Sequence, residues 1–138
     1  NLCIGDMKSA GWGRILTVAS SGVVQPIFNL AMSNTIRSSL VGWSKSLSNE
    51  VAADGITVNM LLPGRIATDR LHQLDKANAE KLGKPVEEVS AAARATIPAG
   101  RYGTVEEFGN VGAFLCSEPA SYMTGSLVRC DGGAIKGV

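Results

Sequence analysis

No sign of charge dominates this sequence. Thirteen basic residues stand against twelve acidic ones, so it has neither the basic stripe of a nucleic-acid-binding protein nor the polybasic run of a membrane-surface anchor. Nucleic acid and membrane are thereby set aside as partners, and small molecules and proteins remain. Cysteine is scarce as well. Cys3, Cys116 and Cys130 lie far apart, match no zinc-ligand spacing and leave an odd thiol in any disulfide scheme, which fits a reducing, cytoplasmic setting and no metal. No apolar run approaches the roughly 20 residues that span a bilayer, and no charged n-region leads into an apolar signal core, so the expectation is a soluble protein. Repeats and low-complexity tracts are missing too, and 138 residues fall within the size of one domain with its own core.

What the sequence does contain is an alternation. ILTVA at 15–19, ITVNMLL at 56–62 and SLVRC at 126–130 are short aliphatic or β-branched runs bounded by Gly, Pro, Ser or Asp, the pattern of buried parallel strands. Between the first two, Ile36, Leu40, Trp43, Leu47 and Val51 recur at helical spacing, and Gly55 follows as a stop. A further helix is predicted over 105–116, with Thr104 as N-cap and Glu106 and Glu107 in the positive field of its first turn. Residues 65–100 are charged and Ala-rich, with helices near 70–82 and 85–95 split by Gly83 and Pro85, and read as a lid over the strand ends. NLCIGDMKSA, at the amino end, reads as the tail of a longer helix.

Strand, helix, strand, helices, strand is the order that builds an α/β parallel sheet with right-handed crossovers. Such sheets bind ligands at the carboxyl ends of their strands. Those ends are Ala19-Ser20-Ser21-Gly22, Pro63-Gly64-Arg65-Ile66-Ala67-Thr68 and Asp131-Gly132-Gly133. A second candidate is SNTIR, where Ser33 and Arg37 stand four residues apart on one helical face. On periodicity alone, these two are an ordinary polar stripe.

GRILTVASS, the helix containing KSLSNEVAADGITVN, then LLPGRIATDR, PAGRYGTVEEFGNVGAFLCSEPASYMTG and a terminal VRCDGG occur in the order found in short-chain dehydrogenases/reductases. The chain resembles the C-terminal half of that family, nearest the 3-oxoacyl-acyl-carrier-protein reductase type. The family's Gly-rich phosphate turn and its Asn-Ala-Gly motif do not occur here, and Gly132-Gly133 is no substitute because no helix follows it. The expected fold is therefore the C-terminal half of a Rossmann-type doubly wound parallel sheet. Three strands alone leave the inner edge of ILTVA unpaired, so the chain is expected to be a fragment whose cofactor-binding N-terminal half lies elsewhere.

The resemblance implies hydride transfer between NAD or NADP and a small carbonyl or alcohol substrate. It implies a Tyr as proton donor, a Lys four residues later, and a Ser thirteen residues before the Tyr that holds the substrate oxygen. Ser20 falls on that serine, Ser33 on the Tyr and Arg37 on the Lys; Ser21 takes the part of Ser20 if the loop is offset by one. No YxxxK occurs: Tyr102 and Tyr122 match other segments, and Lys45, twelve residues after Ser33, faces another side of the helix. Arg stays protonated, so Arg37 can hold a ribose hydroxyl or stabilise an alkoxide but not relay a proton, and the Ser33 hydroxyl is a far weaker acid than a phenol. The 63–68 segment is expected to wrap the nicotinamide, with Pro63 ending the strand, Gly64 allowing close approach, the Ile66 backbone at the carboxamide and the Thr68 hydroxyl on amide or phosphate. His72, the only histidine, lies in the lid within possible reach of a substrate. Two functions follow: a divergent oxidoreductase completed by its missing half, or a silent member kept as a binding or oligomerisation module. A homodimer or homotetramer, formed through the helix of Ser33 and the one before it, is the assembly the resemblance implies.

Overall fold

The computed structural model describes residues 2–137. Its centre is a three-stranded parallel sheet in the order β1 (Gly13–Val18), β2 (Ile56–Pro63), β3 (Leu127–Cys130). β2 lies in the middle, covered on both faces, with seven of its eight residues buried: Ile56, Val58, Met60 and Leu62 on one side, Thr57, Asn59 and Leu61 on the other. Ile56, Val58, Met60 and Leu62 are at most 1% exposed. They pack against helix α2 (Ala31–Val51) through Leu47, Val51, Leu40 and Val41. Leu61 points the other way, and with Leu16 it meets Gly112 of helix α5 (Val105–Leu115). Each fully buried aliphatic side chain contributes about 1.5–3 kcal/mol, so β2 anchors both layers.

The short helix α1 (Ile4–Ala10) places Ile4 and Met7 against the same core as Ile15. α2 begins two residues before Ser33 and runs to Val51, where a single 3₁₀ turn leads to Gly55 at φ 74°. Gly55 is required twice over: its φ is left-handed, and a Cβ there would stand 2.3 Å from the Gly11 carbonyl oxygen. The 65–100 segment folds as two helices, α3 (Asp69–Leu82) and α4 (Val86–Ala95), packed together and parted at Gly83, Lys84 and Pro85. Thr104 caps α5 within a full capping box: its hydroxyl accepts from the Glu107 N–H, and the Glu107 carboxylate accepts from the Thr104 N–H.

The predicted strands, α3, α4 and α5 thus occur within one or two residues of their expected bounds, whereas α2 starts five residues before Ile36 and the amino-terminal helix runs only from Ile4 to Ala10. β1 ends at Val18 rather than Ala19, although the Ala19 N–H still donates to the Leu61 carbonyl at 3.0 Å. Among the described residues β1 pairs with β2 only. Val18 on this edge strand is 54% exposed, as are half or more of Phe28, Met32 and Ile36 on the loop and helix that follow.

Candidate active site

β1 and β2 deliver the two candidate segments to the same end of the sheet. Val18 registers opposite Leu61, so two residues further on Ser20 leaves one strand beside Pro63 leaving the other. Arg37 closes the arrangement from α2: its Nη1 donates to the Ala19 carbonyl at 3.2 Å and its Nε to Ser33 Oγ at 3.3 Å. Ser20, Ser33 and Arg37 are therefore brought together by a bond to the residue that precedes Ser20. The outer edge of the guanidinium, with Nη2, faces solvent and makes no bond among the described residues.

Ser20 also caps the turn after β1, its Oγ accepting from the Gly22 N–H at 3.1 Å. Accepting leaves the hydroxyl hydrogen free to donate to a substrate oxygen. Ser21 opens the 3₁₀ turn, and its carbonyl accepts from Val24 and Gln25. Asn34, inside SNTIR, was not singled out by the sequence reading but organises the loop: its Nδ2 donates to the Ile27 carbonyl at 2.9 Å and its Oδ1 accepts from the Ile27 N–H. Gly22 is crowded by that side chain, since a Cβ there would lie 2.7 Å from Asn34 Oδ1.

In the 63–68 loop, Gly64 has a reason inside the fold. A Cβ would stand 2.6 Å from Asp131 Cα, and the Gly64 N–H bonds the Cys130 carbonyl at 2.9 Å. The loop is held from the far side by Gly103, whose N–H donates to Arg65 O and whose carbonyl accepts from the Ala67 N–H. The half-buried Ile66 between those bonds keeps its own N–H unbonded among the described residues, an available donor for a carboxamide oxygen. Thr68 is the N-cap of α3, with a long 3.4 Å bond from the Leu71 N–H, and its exposed hydroxyl stays accessible.

Beside this loop, at the ends of β2 and β3, lies a cleft of about 610 Å³ bordered by Arg65, Ile66, Glu107, Arg129 and Asp131. A hydrogen bond from Arg101, then one from the Thr104 N–H, holds the exposed Glu107 carboxyl down at about 2. Cys130 also borders the cleft, and burial first, then Glu107 and Asp131, push its thiol up, which keeps it protonated and a poor nucleophile.

The 65–100 segment contains a polar centre that its sequence pattern does not announce. Leu71, Asp75 and Ala79 form the buried stripe of α3 at four-residue spacing, with a carboxylate where an apolar residue is expected. Asp75 Oδ2 accepts from the Tyr102 hydroxyl at 2.8 Å, and Oδ1 faces Arg65 Nη1 at 3.7 Å without a hydrogen bond. Asp75 and Tyr102 line a second cavity of about 360 Å³ together with His72, Glu87, Ser90 and Arg94. His72 is exposed and lines this second cavity, as Thr68 does. Among the described residues there is no group of three or more metal-ligating side chains, and no helix long and apolar enough to cross a membrane.

Residues 3–134 match the family described as enoyl-(acyl carrier protein) reductase. The chain belongs to the short-chain dehydrogenase/reductase family. Among curated members it is 37% identical over 136 residues to the NADPH-dependent reductase BacG of Bacillus subtilis, covering 96% of this chain and 51% of that protein. It is 39% identical to the 3-oxoacyl-[acyl-carrier-protein] reductase FabG of Aquifex aeolicus, covering 88% of this chain and 45% of FabG. Among solved structures, L-sorbose reductase from Gluconobacter frateurii, crystallised with NADPH and L-sorbose, superposes with a TM-score of 0.90 at 32% identity, covering 98% of this chain and 52% of that one. The chain spans about half the length of the curated relatives it matches. Its α/β sheet is the part of the Rossmann-type fold that these short-chain dehydrogenases share with it.

Proposed function

We propose that this chain is the carboxy-terminal half of an NAD(P)-dependent oxidoreductase that interconverts small carbonyls and alcohols. The observation that carries the reading is the convergence of Arg37, Ser20 and the 63–68 loop at the ends of two adjacent strands, with a free guanidinium edge, a free serine donor and a free Ile66 N–H. These groups fit a nicotinamide nucleotide: Arg37 would hold the ribose, Ile66 the carboxamide, and Thr68 the amide or a phosphate. When bound, the cofactor supplies the hydride to the carbonyl carbon and is itself oxidised.

The remaining steps belong to this chain. Ser20 donates a hydrogen bond to the substrate oxygen and so stabilises charge building there. Arg37 stays charged, favours the alkoxide electrostatically and gives up no proton. With Ser33 in place of a phenol, the proton reaches the alkoxide from water ordered by Ser33 and Ser20. The unpaired edge of β1 and the half-length match to relatives support a preceding segment that completes the sheet. The exposed Met32, Ile36 and Trp43 on α2 support a homo-oligomer through that helix.

A second reading, a silent binding or oligomerisation module, is favoured by one observation: two of Arg37's donors are engaged by Ala19 and Ser33, and among the described residues no general acid bonds to them. Cofactor titration separates the two readings when it is combined with NADPH and NADH oxidation over a panel of ketones and aldehydes on the full-length protein. Binding with turnover supports the enzyme, and binding without turnover supports the module.

A further inference from the structure

We propose that Asp75 is a positioning residue, whose carboxylate fixes the lid helices to the loop that meets the cofactor; this rests on the reading of the 63–68 loop given above. Three segments converge on the carboxylate. Asp75 comes from α3, Arg65 from the loop after β2, and Tyr102 from the chain that follows α4. Arg65 immediately precedes Ile66, and Tyr102 immediately precedes Gly103. Those two neighbours form the isolated parallel bridge, closed by the Ala67 N–H to Gly103 at 2.8 Å and the Gly103 N–H to Arg65 at 2.9 Å. Asp75 thus holds, from the lid, the residues on both sides of the bridge that places Ile66.

The Ile66 side chain packs onto Gly103, where a Cβ would stand 2.9 Å from Ile66 Cδ1 and 3.9 Å from the Arg65 carbonyl oxygen. The Tyr102 hydroxyl also lies 3.4 Å from the Ser90 carbonyl, and Arg94 stacks over its ring with Cζ 5.8 Å from the centroid while its Nη1 donates to Ser90 Oγ. α4 is therefore joined to the same centre as α3. For stability alone, a leucine would serve at position 75 as well as a 3%-exposed carboxylate whose Oδ1 lacks a hydrogen bond. What the carboxylate adds is direction, because only one placement of α3 meets both Arg65 and Tyr102.

The test uses the full-length protein with Asp75→Leu, Asp75→Asn, Tyr102→Phe and the Asp75→Leu/Tyr102→Phe double change. The readouts are NADPH and NADH affinity by fluorescence, the split of KM against kcat, and amide exchange at residues 64–68. Asp75→Leu is expected to keep the fold, weaken cofactor binding about tenfold, as loss of a hydrogen bond to a charged group does, and speed exchange at 64–68. Its effect falls on KM rather than kcat. Tyr102→Phe acts in the same direction, the double variant is no worse than the stronger single one, and Asp75→Asn, which still accepts from Tyr102, recovers most of the affinity. Unchanged affinity and unchanged exchange in Asp75→Leu overturn the proposal. If the parent protein binds neither cofactor, the reading of the site fails separately, and exchange alone decides: faster at 64–68 sustains the positioning role, unchanged refutes it. If Asp75→Leu does not fold, Tyr102→Phe carries the same two readouts to the same decision.

Discussion

Arg37 and Ala19 are joined by a 3.2 Å bond from guanidinium to backbone carbonyl, across 18 residues of sequence. That bond ties the second turn of α2 to the end of β1 and fixes where the free edge of the guanidinium looks. Where the family motif has a Tyr and a Lys this site has Ser33 and Arg37, and the guanidinium is a fixed positive charge bonded to the residue that precedes Ser20.

Replacing Arg37 by Met removes that charge and both bonds. We expect cofactor affinity in the full-length protein to fall at least tenfold, as loss of charge-assisted hydrogen bonds does. Arg37→Lys recovers only part of this, since an ammonium cannot bond Ala19, Ser33 and a ribose in one plane. Fluorescence titration with NADPH reads the difference.

The double change Ser33→Tyr with Arg37→Lys asks whether a proton donor is all that the site lacks. A well-placed general acid contributes about 10² to 10⁴ in rate, and kcat for a reducible ketone should rise within that range. No gain in kcat at saturating cofactor would point to the silent module instead.

Gly64→Ala probes the loop independently of catalysis. Its Cβ would meet the Asp131 backbone at 2.6 Å, and backbone cannot swing aside as a side-chain tip can. Crowding of this kind costs about 1–3 kcal/mol, to be read as a lower midpoint in denaturant unfolding.

Tyr102 gives a prediction with a definite sign. Burial first, then its hydrogen bond to Asp75, raises its pKa above the model-compound value of 10.0. The phenol is neutral when protonated, so its contribution to stability is whole below pH 10 and is lost as pH rises through the folded value. The ultraviolet phenolate signal of Tyr102, read as the difference between the parent and Tyr102→Phe, should titrate above 10 and return towards 10 on unfolding. A midpoint at or below 10 in the folded protein would contradict the contact with Asp75.

Much of the fold was legible because its signals are local. The aliphatic run of β2, the spacing of Leu40, Leu47 and Val51, and the Thr104 cap each act within a few residues and need no knowledge of the rest. The positions of Ser20, Ser33 and Arg37 followed from the spacing of the family's motif, and the fold brings them to one place. The Asp75 centre was hidden because its partners are 10 and 27 residues away, and an acidic residue on a charged helix reads as solvated. Its one visible trace is the interruption of the stripe formed by Leu71 and Ala79. The close approach of Gly64 to Asp131, 67 residues on, is a reason for glycine that no local pattern announces. Asn34 was passed over because its bonds go to the backbone of Ile27, which no pattern announces.

The central claim is that this chain furnishes the substrate-oxygen and nicotinamide contacts of an oxidoreductase. Its most direct test is NADPH and NADH oxidation by the full-length protein and its Ser20→Ala variant, with cofactor binding titrated alongside. The account predicts that one cofactor binds, that a ketone or aldehyde is reduced, and that Ser20→Ala cuts turnover about a hundredfold with binding little changed. Failure of the full-length protein to bind either cofactor would contradict it.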